Sequence, residues 1–336
     1  MTYHVRKAAL IALSVCALTV QPTSVATAAD QPSAPAAARS RRSADDRDRI
    51  RIFVAPYKTA DGSATVVLVV DADAAVLGLG KSTGRYSGRL EVSWTATDAR
   101  GRSRSGDAFN GAVTLDPDAG TVARRYGVRV LSELDLPAGQ YQFRVSVRGP
   151  ARSGNALTSL EVPDFEAPLT MGGVALSTAS EKAPTVSSGA RRRVTLPHVP
   201  TPRREFEAGE TLTVFTEVYE SRLRLERSPS RGTSADPGDA GDHTTNVSVE
   251  LRADDGSILQ TVAALRSSDR QRAGTHTFVA RLPLADVPSG RYVIRVKARA
   301  NIGEPDTAAR EIAIRVRPRG SLGRVRPHHA RASGYA

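Results

Sequence analysis

Apolar and polar residues alternate one for one along several stretches of the chain. Leu90, Val92 and Trp94 alternate with Glu91, Ser93 and Thr95, and Tyr141, Phe143, Val145 and Val147 alternate with Gln140, Gln142, Arg144 and Ser146. Further on, Val247, Val249 and Leu251 alternate with Ser248, Glu250 and Arg252, and Ile312, Ile314 and Val316 alternate with Ala313 and Arg315. A two-residue period sends one set of side chains to a buried face and the other to solvent, so each stretch predicts a half-buried β-strand. Helical spacing is hard to find after the N-terminal segment. Short strands at steady spacing, punctuated by Asp-Gly and Pro-x-Gly turns, predict an all-β fold of sandwiches rather than βαβ units.

Composition shifts divide the chain. Residues 29–49 are rich in Ala, Pro, Ser and Arg without apolar periodicity and predict a disordered leader, with order beginning near Ile50. Residues 50–176 and 205–316 carry the strand patterns. Between them, 177–204 is again Pro-, Ser- and Arg-rich and predicts a basic linker, while 317–336 predicts a basic disordered tail.

The two patterned regions repeat one plan. Leu136-Pro-Ala-Gly-Gln-Tyr-Gln-Phe-Arg-Val145 recurs as Val287-Pro-Ser-Gly-Arg-Tyr-Val-Ile-Arg-Val296, and each copy follows a strand entering a tight turn, Trp94 to Gly101 and Leu251 to Gly256. Two copies of one supersecondary unit imply two similar domains. In the Pro-x-Gly-x-Tyr unit the turn redirects the chain, and the tyrosine enters the next strand with its ring inward and its hydroxyl reaching back to backbone. That is the logic of a tyrosine corner in immunoglobulin-like sandwiches. Pro137, Gly139 and Tyr141, with Pro288, Gly290 and Tyr292, are therefore expected as structural corners of two tandem immunoglobulin-like β-sandwich modules.

The N-terminus changes the compartment. Arg6 and Lys7 precede the apolar run Leu10 to Val20 and the small-residue site Ala26-Thr27-Ala28, the layout of a secretory signal peptide over 1–28. The expected location is extracytoplasmic, periplasmic or secreted; cleavage and retention as an anchor both remain open. Cys16 lies inside the apolar run with Val15 before it, where a lipidation motif needs a small residue. It is the one cysteine of the chain, so a mature form would hold no disulfide, cysteine-zinc site or Cys nucleophile. No other apolar run approaches a membrane span.

Removal of Arg6 and Lys7 lowers the formal charge from +12 to +10. Residues 50–176 carry 14 basic against 13 acidic side chains and 205–316 carry 15 against 17, whereas the linker carries 6 against 1 and the tail five Arg and no acid. The expected modules are nearly neutral, and weak, nonspecific contact with polyanions belongs to the connectors. A nucleic-acid reader would add stacking aromatics on a basic face, and aromatics make up only 5% of the chain.

GVRVLSELDLPAGQYQFRVSV, LEVPDFEAPLTMGGVALSTA, RREFEAGETLTVFTEVYE, VELRADDG and LADVPSGRYVIRVKAR, which span most of 50–316, resemble the C-terminal tandem region that follows the von Willebrand factor A-related domain in exported bacterial proteins of the Acidobacteria type. The metal-holding Asp-x-Ser-x-Ser loop of that domain does not occur here, so its metal site is not carried over. The resemblance implies a detached sandwich tandem suited to protein contacts.

Candidate chemistry is sparse. Ala75 to Ser82 satisfies a loose phosphate-loop pattern, and Gly80-Lys81-Ser82-Thr83-Gly84 spells Gly-x-Ser-x-Gly. Both mechanisms need a helix directly after the loop, and Gly84-Arg85-Tyr86-Ser87-Gly88 opposes one. Of the His residues, His198, His243 and His276 lie outside signal and tail, none in a context that supports a catalytic triad. His328-His329 gives at most a weak, unspecific metal site, and Asn246-Val247-Ser248 is a glycosylation triplet with no role assigned. Asp236, Asp239, Asp242 and His243 fall in a Gly/Pro-rich segment read as a solvated hairpin tip; calcium binding there stays open, although the spacing is not that of an EF-hand. No catalytic, cofactor or metal residues are assigned, and no cofactor is expected. The expected function is an exported, non-catalytic binding or scaffold protein with an unidentified protein partner. An accessory carbohydrate-binding role is the alternative, and an enzyme of unknown type the third.

Overall fold

Strand β1 (Ile50–Lys58) pairs antiparallel with β2 (Ala64–Ala72), which pairs in turn with β6 (Val128–Asp135). A computed structural model describes residues 50–150, 152–179, 183–187, 194, 196–221, 245–272, 274–300 and 307–320. The signal segment, the leader, Arg191–Arg193 and the loop bearing Asp236, Asp239, Asp242 and His243 lie outside the described residues, as does most of the tail.

The second sheet of this first sandwich runs β3 (Gly80–Ser82), β4 (Arg85–Asp98), β7 (Gly139–Arg148), β8 (Ser153–Val162), with β5 (Ser103–Leu115) also paired to β4. Its inner face carries Leu90, Val92, Trp94, Phe143 and Val145. These meet Val66, Leu68, Val70 and Val130 from the other sheet in one core. The alternation read from β4 and β7 is thus the inside–outside alternation of a sandwich wall.

Two helices interrupt this sandwich, which the strand pattern did not predict: a single turn at Ala74–Leu77 and a longer helix at Pro117–Tyr126. The latter starts at an Asp-Pro step with Pro at its beginning, carries Asp118 in the first turn and ends before Gly127, whose amide bonds back to the Ala123 carbonyl at 2.7 Å. Those are ordinary start and stop signals. They are easily overlooked because only part of one helical face, with Ala123, is buried.

The second sandwich pairs β11 (Glu205–Glu207), β18 (Thr307–Arg317), β17 (Gly290–Ala300), β13 (Thr245–Ala253) and β14 (Ile258–Ala263) in one sheet. The opposing sheet runs β15 (Leu265–Arg272), β16 (Thr275–Pro283), β12 (Thr211–Glu220), β9 (Leu169–Thr178). Phe206, Leu212, Val249, Leu251, Ile294 and Val296 sit in its core.

The domain boundaries expected from composition need correction. β9 falls almost wholly within 50–176, yet it pairs with β12 from Glu220↔Leu169 to Leu212↔Thr178 and belongs to the second sandwich. The expected linker 177–204 is also not a spacer. Its segment β10 (Thr185–Ser187) returns to the first sandwich and adds parallel to β6, and the Thr201 amide bonds to the Leu176 carbonyl at 2.7 Å. The chain therefore leaves the first sandwich after β8, re-enters it at β10 and leaves again before β11.

This interlacing encloses a third core. Phe53, Ala55 and Tyr57 of β1, Val67 and Val69 of β2, and Leu131 of β6 face Ala175 of β9 and Phe215 of β12, with Val194 among them. Leu196, Val199 and Val279 pack on its margin. β2 is thus apolar on both faces: Val66, Leu68 and Val70 serve the first core, Val67 and Val69 the seam. A strand covered on both sides loses its alternation, which is why Val66 to Val70 reads as a continuous apolar run. The seam residues of 194–199 come singly from irregular chain, so no period betrays them. Burying a phenylalanine contributes roughly 1.5–3 kcal/mol, so Phe53 and Phe215 alone make the seam a substantial term.

Candidate functional site

Close approach of the two sandwiches depends on β9. A Cβ on Gly173 would lie 2.3 Å from the Ala55 Cβ, nearer than carbon atoms approach, so glycine is what lets β9 reach β1. Beside it a cluster of phenols is sealed in the seam. The Tyr219 hydroxyl donates to Glu217 Oε2 at 2.5 Å and accepts the Lys58 amide proton at 3.0 Å. Its ring meets Phe165 edge-on at 4.9 Å between centroids. Phe165 sits on the crossing from β8 to β9, and Lys58 Nζ fixes that crossing through the Phe165 carbonyl at 3.2 Å and Glu166 at 2.9 Å. Tyr57 is fully buried and its hydroxyl meets no partner. Burial, seconded by the Glu217 carboxylate, holds both the Tyr57 and Tyr219 phenols well above their ordinary pKa, so both stay neutral.

A cleft of about 470 Å³ opens along one side of the seam. Phe53 and Val54 of β1, Thr158 of β8, Gly173 of β9, and Arg310 and Ile312 of β18 contribute to its walls, and Arg204 also lines it. Arg204 Nη1 donates to the Thr201 and Arg203 carbonyls at 3.2 and 2.8 Å. Desolvation by burial lowers the pKa of its guanidinium to about 10. Arg310 meets Glu161 across the sandwiches at 3.7 Å. Arg203, its neighbour, is spent on structure: it pairs with Glu210 at 3.2 Å and lies 5.2 Å from the Phe206 ring centre. These two arginines, assigned to a solvated basic linker by composition, thus sit in the folded body. A second cleft, lined by Arg129, Thr178, His198 and Arg281, opens elsewhere along the seam. Arg129 is held there by both oxygens of Asp71, at 2.7 and 2.9 Å, in a buried cross-strand pair.

The residues singled out in the sequence are placed apart from these clefts. The Tyr141 hydroxyl donates to the Pro137 carbonyl at 2.9 Å and the Tyr292 hydroxyl to the Pro288 carbonyl at 2.8 Å, with both rings buried. Gly139 adopts φ +153°, and a Cβ on Gly290 would lie 3.2 Å from the Tyr292 hydroxyl. The halves of the repeat pair with each other: Tyr141 lies opposite Asp98 and Tyr292 opposite Ala253, each three residues before the turn glycine, Gly101 or Gly256. Gly80–Ser82 forms an exposed strand folded back on Arg85–Ser87, so Lys81 and Ser82 stand on a hairpin and not at the start of a helix. Trp94 is 4% exposed within the first core. His276 is buried on β16, 3.6 Å from Glu220, while His198 is exposed at the second cleft. Among the described residues no group of three or more His, Cys, Asp or Glu is arranged to hold a metal, and no helix is long and apolar enough to cross a membrane.

Tandem immunoglobulin-like β-sandwiches are the class these sheets and corners define. No family model matches the chain, and no curated protein matches it in sequence. Among solved structures it is similar to red sea bream transglutaminase (7% identity, 82% of this chain against 32% of that chain, TM-score 0.20). It is also similar to a DUF4785 family protein from Legionella pneumophila (7% identity, 80% against 62%, TM-score 0.22). A third is a chain from the structure of Dpr2 Ig1-Ig2 in complex with DIP-Theta Ig1-Ig3 (8% identity, 77% against 74%, TM-score 0.19). The chain spans under a third of the transglutaminase and 62% of the Legionella protein. At such scores none of these likenesses bears on function.

Arg204, Tyr57, Tyr219 and Glu217 were not marked out by sequence. Arg204 had a faint signal, as a charge between a proline-rich stretch and a strand start. The phenols had none, since the Tyr219 hydroxyl and the Lys58 amide are separated by 161 residues.

Proposed function

We propose that the chain is an exported, non-catalytic scaffold that presents two immunoglobulin-like sandwiches in one fixed orientation to protein partners in the cell envelope or outside the cell. The observation that carries this reading is the seam: three crossings and a shared apolar core join the two sandwiches. A fused tandem offers partners a larger fixed surface than either sandwich alone and loses less freedom on binding than two loosely tethered domains. Export rests on the charged lead, apolar run and Ala26-Thr27-Ala28 site. The resemblance to the region that follows von Willebrand factor A-related domains accords with a protein-contact role. The burial of Trp94 favours protein over polysaccharide, because sugar platforms need exposed aromatic rings. Affinity capture from a native envelope fraction tests it. A reproducible set of proteins should be retained by the whole chain and released by the Gly173→Val variant, whose seam is wedged open. Retention of polysaccharide alone would overturn it.

A further inference from the structure

Among the described residues Arg204 is paired with no carboxylate, in a place where burial makes a lone guanidinium costly. Its Nη1 protons go to two carbonyls, whereas Nε and Nη2 make no bond to protein and neither is sealed from solvent. The Nε–Nη2 edge is a planar fork matched to the two oxygens of a carboxylate. We propose that the cleft between the sandwiches binds a carboxylate-bearing ligand with an apolar body, anchored on this edge of Arg204. The inference is independent of the scaffold reading.

Charge balance selects the class. Arg310 is matched by Glu161, and Glu311, which also lines the cleft, by Arg295 at 3.5 Å, which leaves Arg204 as the uncompensated positive charge among the described lining residues. A monoanion neutralises it, while a phosphate dianion would bring an unmatched charge beside Glu161 and Glu311. Phe53, Val54 and Ile312 provide the wall for an apolar body, and about 470 Å³ is ample for a small organic acid or the last residues of a peptide. β1 supplies further anchors. It is the edge of its sheet, and Lys58 directs its amide away from β2 onto Tyr219. By the two-residue repeat of an antiparallel pair, Val54 directs its N–H and C=O the same way, and Val54 lines the cleft. The lowered pKa of Arg204 accords with this anchor, since a carboxylate on its Nε–Nη2 edge would raise it again.

Hexanoate, hexanamide and hexyl phosphate titrated into the full chain, followed by amide NMR shifts at Val54 and Ile312, test the proposal. Saturable hexanoate binding is expected, with hexanamide weaker by about tenfold or more, the scale of a charge-assisted hydrogen-bond pair. Arg204→Lys keeps the charge but loses the fork, and it should weaken hexanoate by a similar factor in a variant whose amide NMR spectrum shows it folded. The hexanamide comparison needs no variant and stands even if Arg204→Lys misfolds. Two versions of one short apolar peptide, ending in a free carboxylate or an amide, separate the sources. Free-acid peptide tighter than hexanoate assigns a chain terminus, and hexanoate equal or tighter assigns a small acid. Absent saturation by hexanoate, equal binding of hexanamide, indifference to Arg204→Lys, or hexyl phosphate binding as tightly as hexanoate would each overturn the proposal.

Discussion

Four buried tyrosines differ in what their hydroxyls meet. Tyr141 and Tyr292 donate to the carbonyls of Pro137 and Pro288, Tyr219 is bonded to Glu217 and Lys58, and Tyr57 has no partner. Replacement by Phe keeps each ring and removes only the hydroxyl. Tyr141→Phe and Tyr292→Phe should each cost about 1 kcal/mol, and Tyr219→Phe, which takes a buried hydrogen bond from the Glu217 carboxylate, roughly 1–3 kcal/mol. Tyr57→Phe should be neutral or stabilising, because it removes a buried polar atom that nothing satisfies. Chemical denaturation of the four variants checks the order, and a Tyr57→Phe loss as large as that of Tyr219→Phe would contradict it. Alkaline pH supplies a second test. The folded pKa of Tyr57 and Tyr219 lies above the unfolded value of about 10. Their contribution is therefore fully present below that pH and is lost as pH rises through the folded values. Stability should fall above about pH 10, and less steeply in Tyr57→Phe; equal slopes would refute the assignment. The corner tyrosines were legible because their partner lies four residues upstream. Tyr57 and Tyr219 were not, because burial by a distant strand leaves no local trace.

At the scale of elements, β9 decides how the chain is divided. Its buried residues from Thr170 to Leu176 run without alternation, because one face enters the second core and the other the seam. Such a strand gives no hint of which neighbour it serves, and composition placed it with the sandwich preceding it in sequence. β4, β7, β13 and β17 were legible for the opposite reason, since each has one wet face. Gly173 tests the assignment of β9. Gly173→Ala should destabilise by about 1–3 kcal/mol, the range for overpacking, since Ala55 and the β1 backbone must retreat. The companion Ala55→Gly should recover part of that loss in the double variant. Additive losses in a thermodynamic cycle would mean that the two positions do not touch.

For the whole molecule, the question is whether the sandwiches move as one body. Near-neutral modules on a basic tether would be expected to swing freely, and the sequence reads that way because 177–204 is polar and aperiodic. The structure instead threads that segment through both sandwiches, with Val186 beside the first core and Val194 in the seam. Spin labels at Gln142 and Arg291, exposed on the outer sheets of the first and second sandwich, with Cys16 replaced by Ser, measure this directly. Pulsed dipolar spectroscopy should return one narrow distance distribution for the native seam, and a broad one once Gly173→Val wedges it. A broad or multimodal distribution in the native protein would contradict the account.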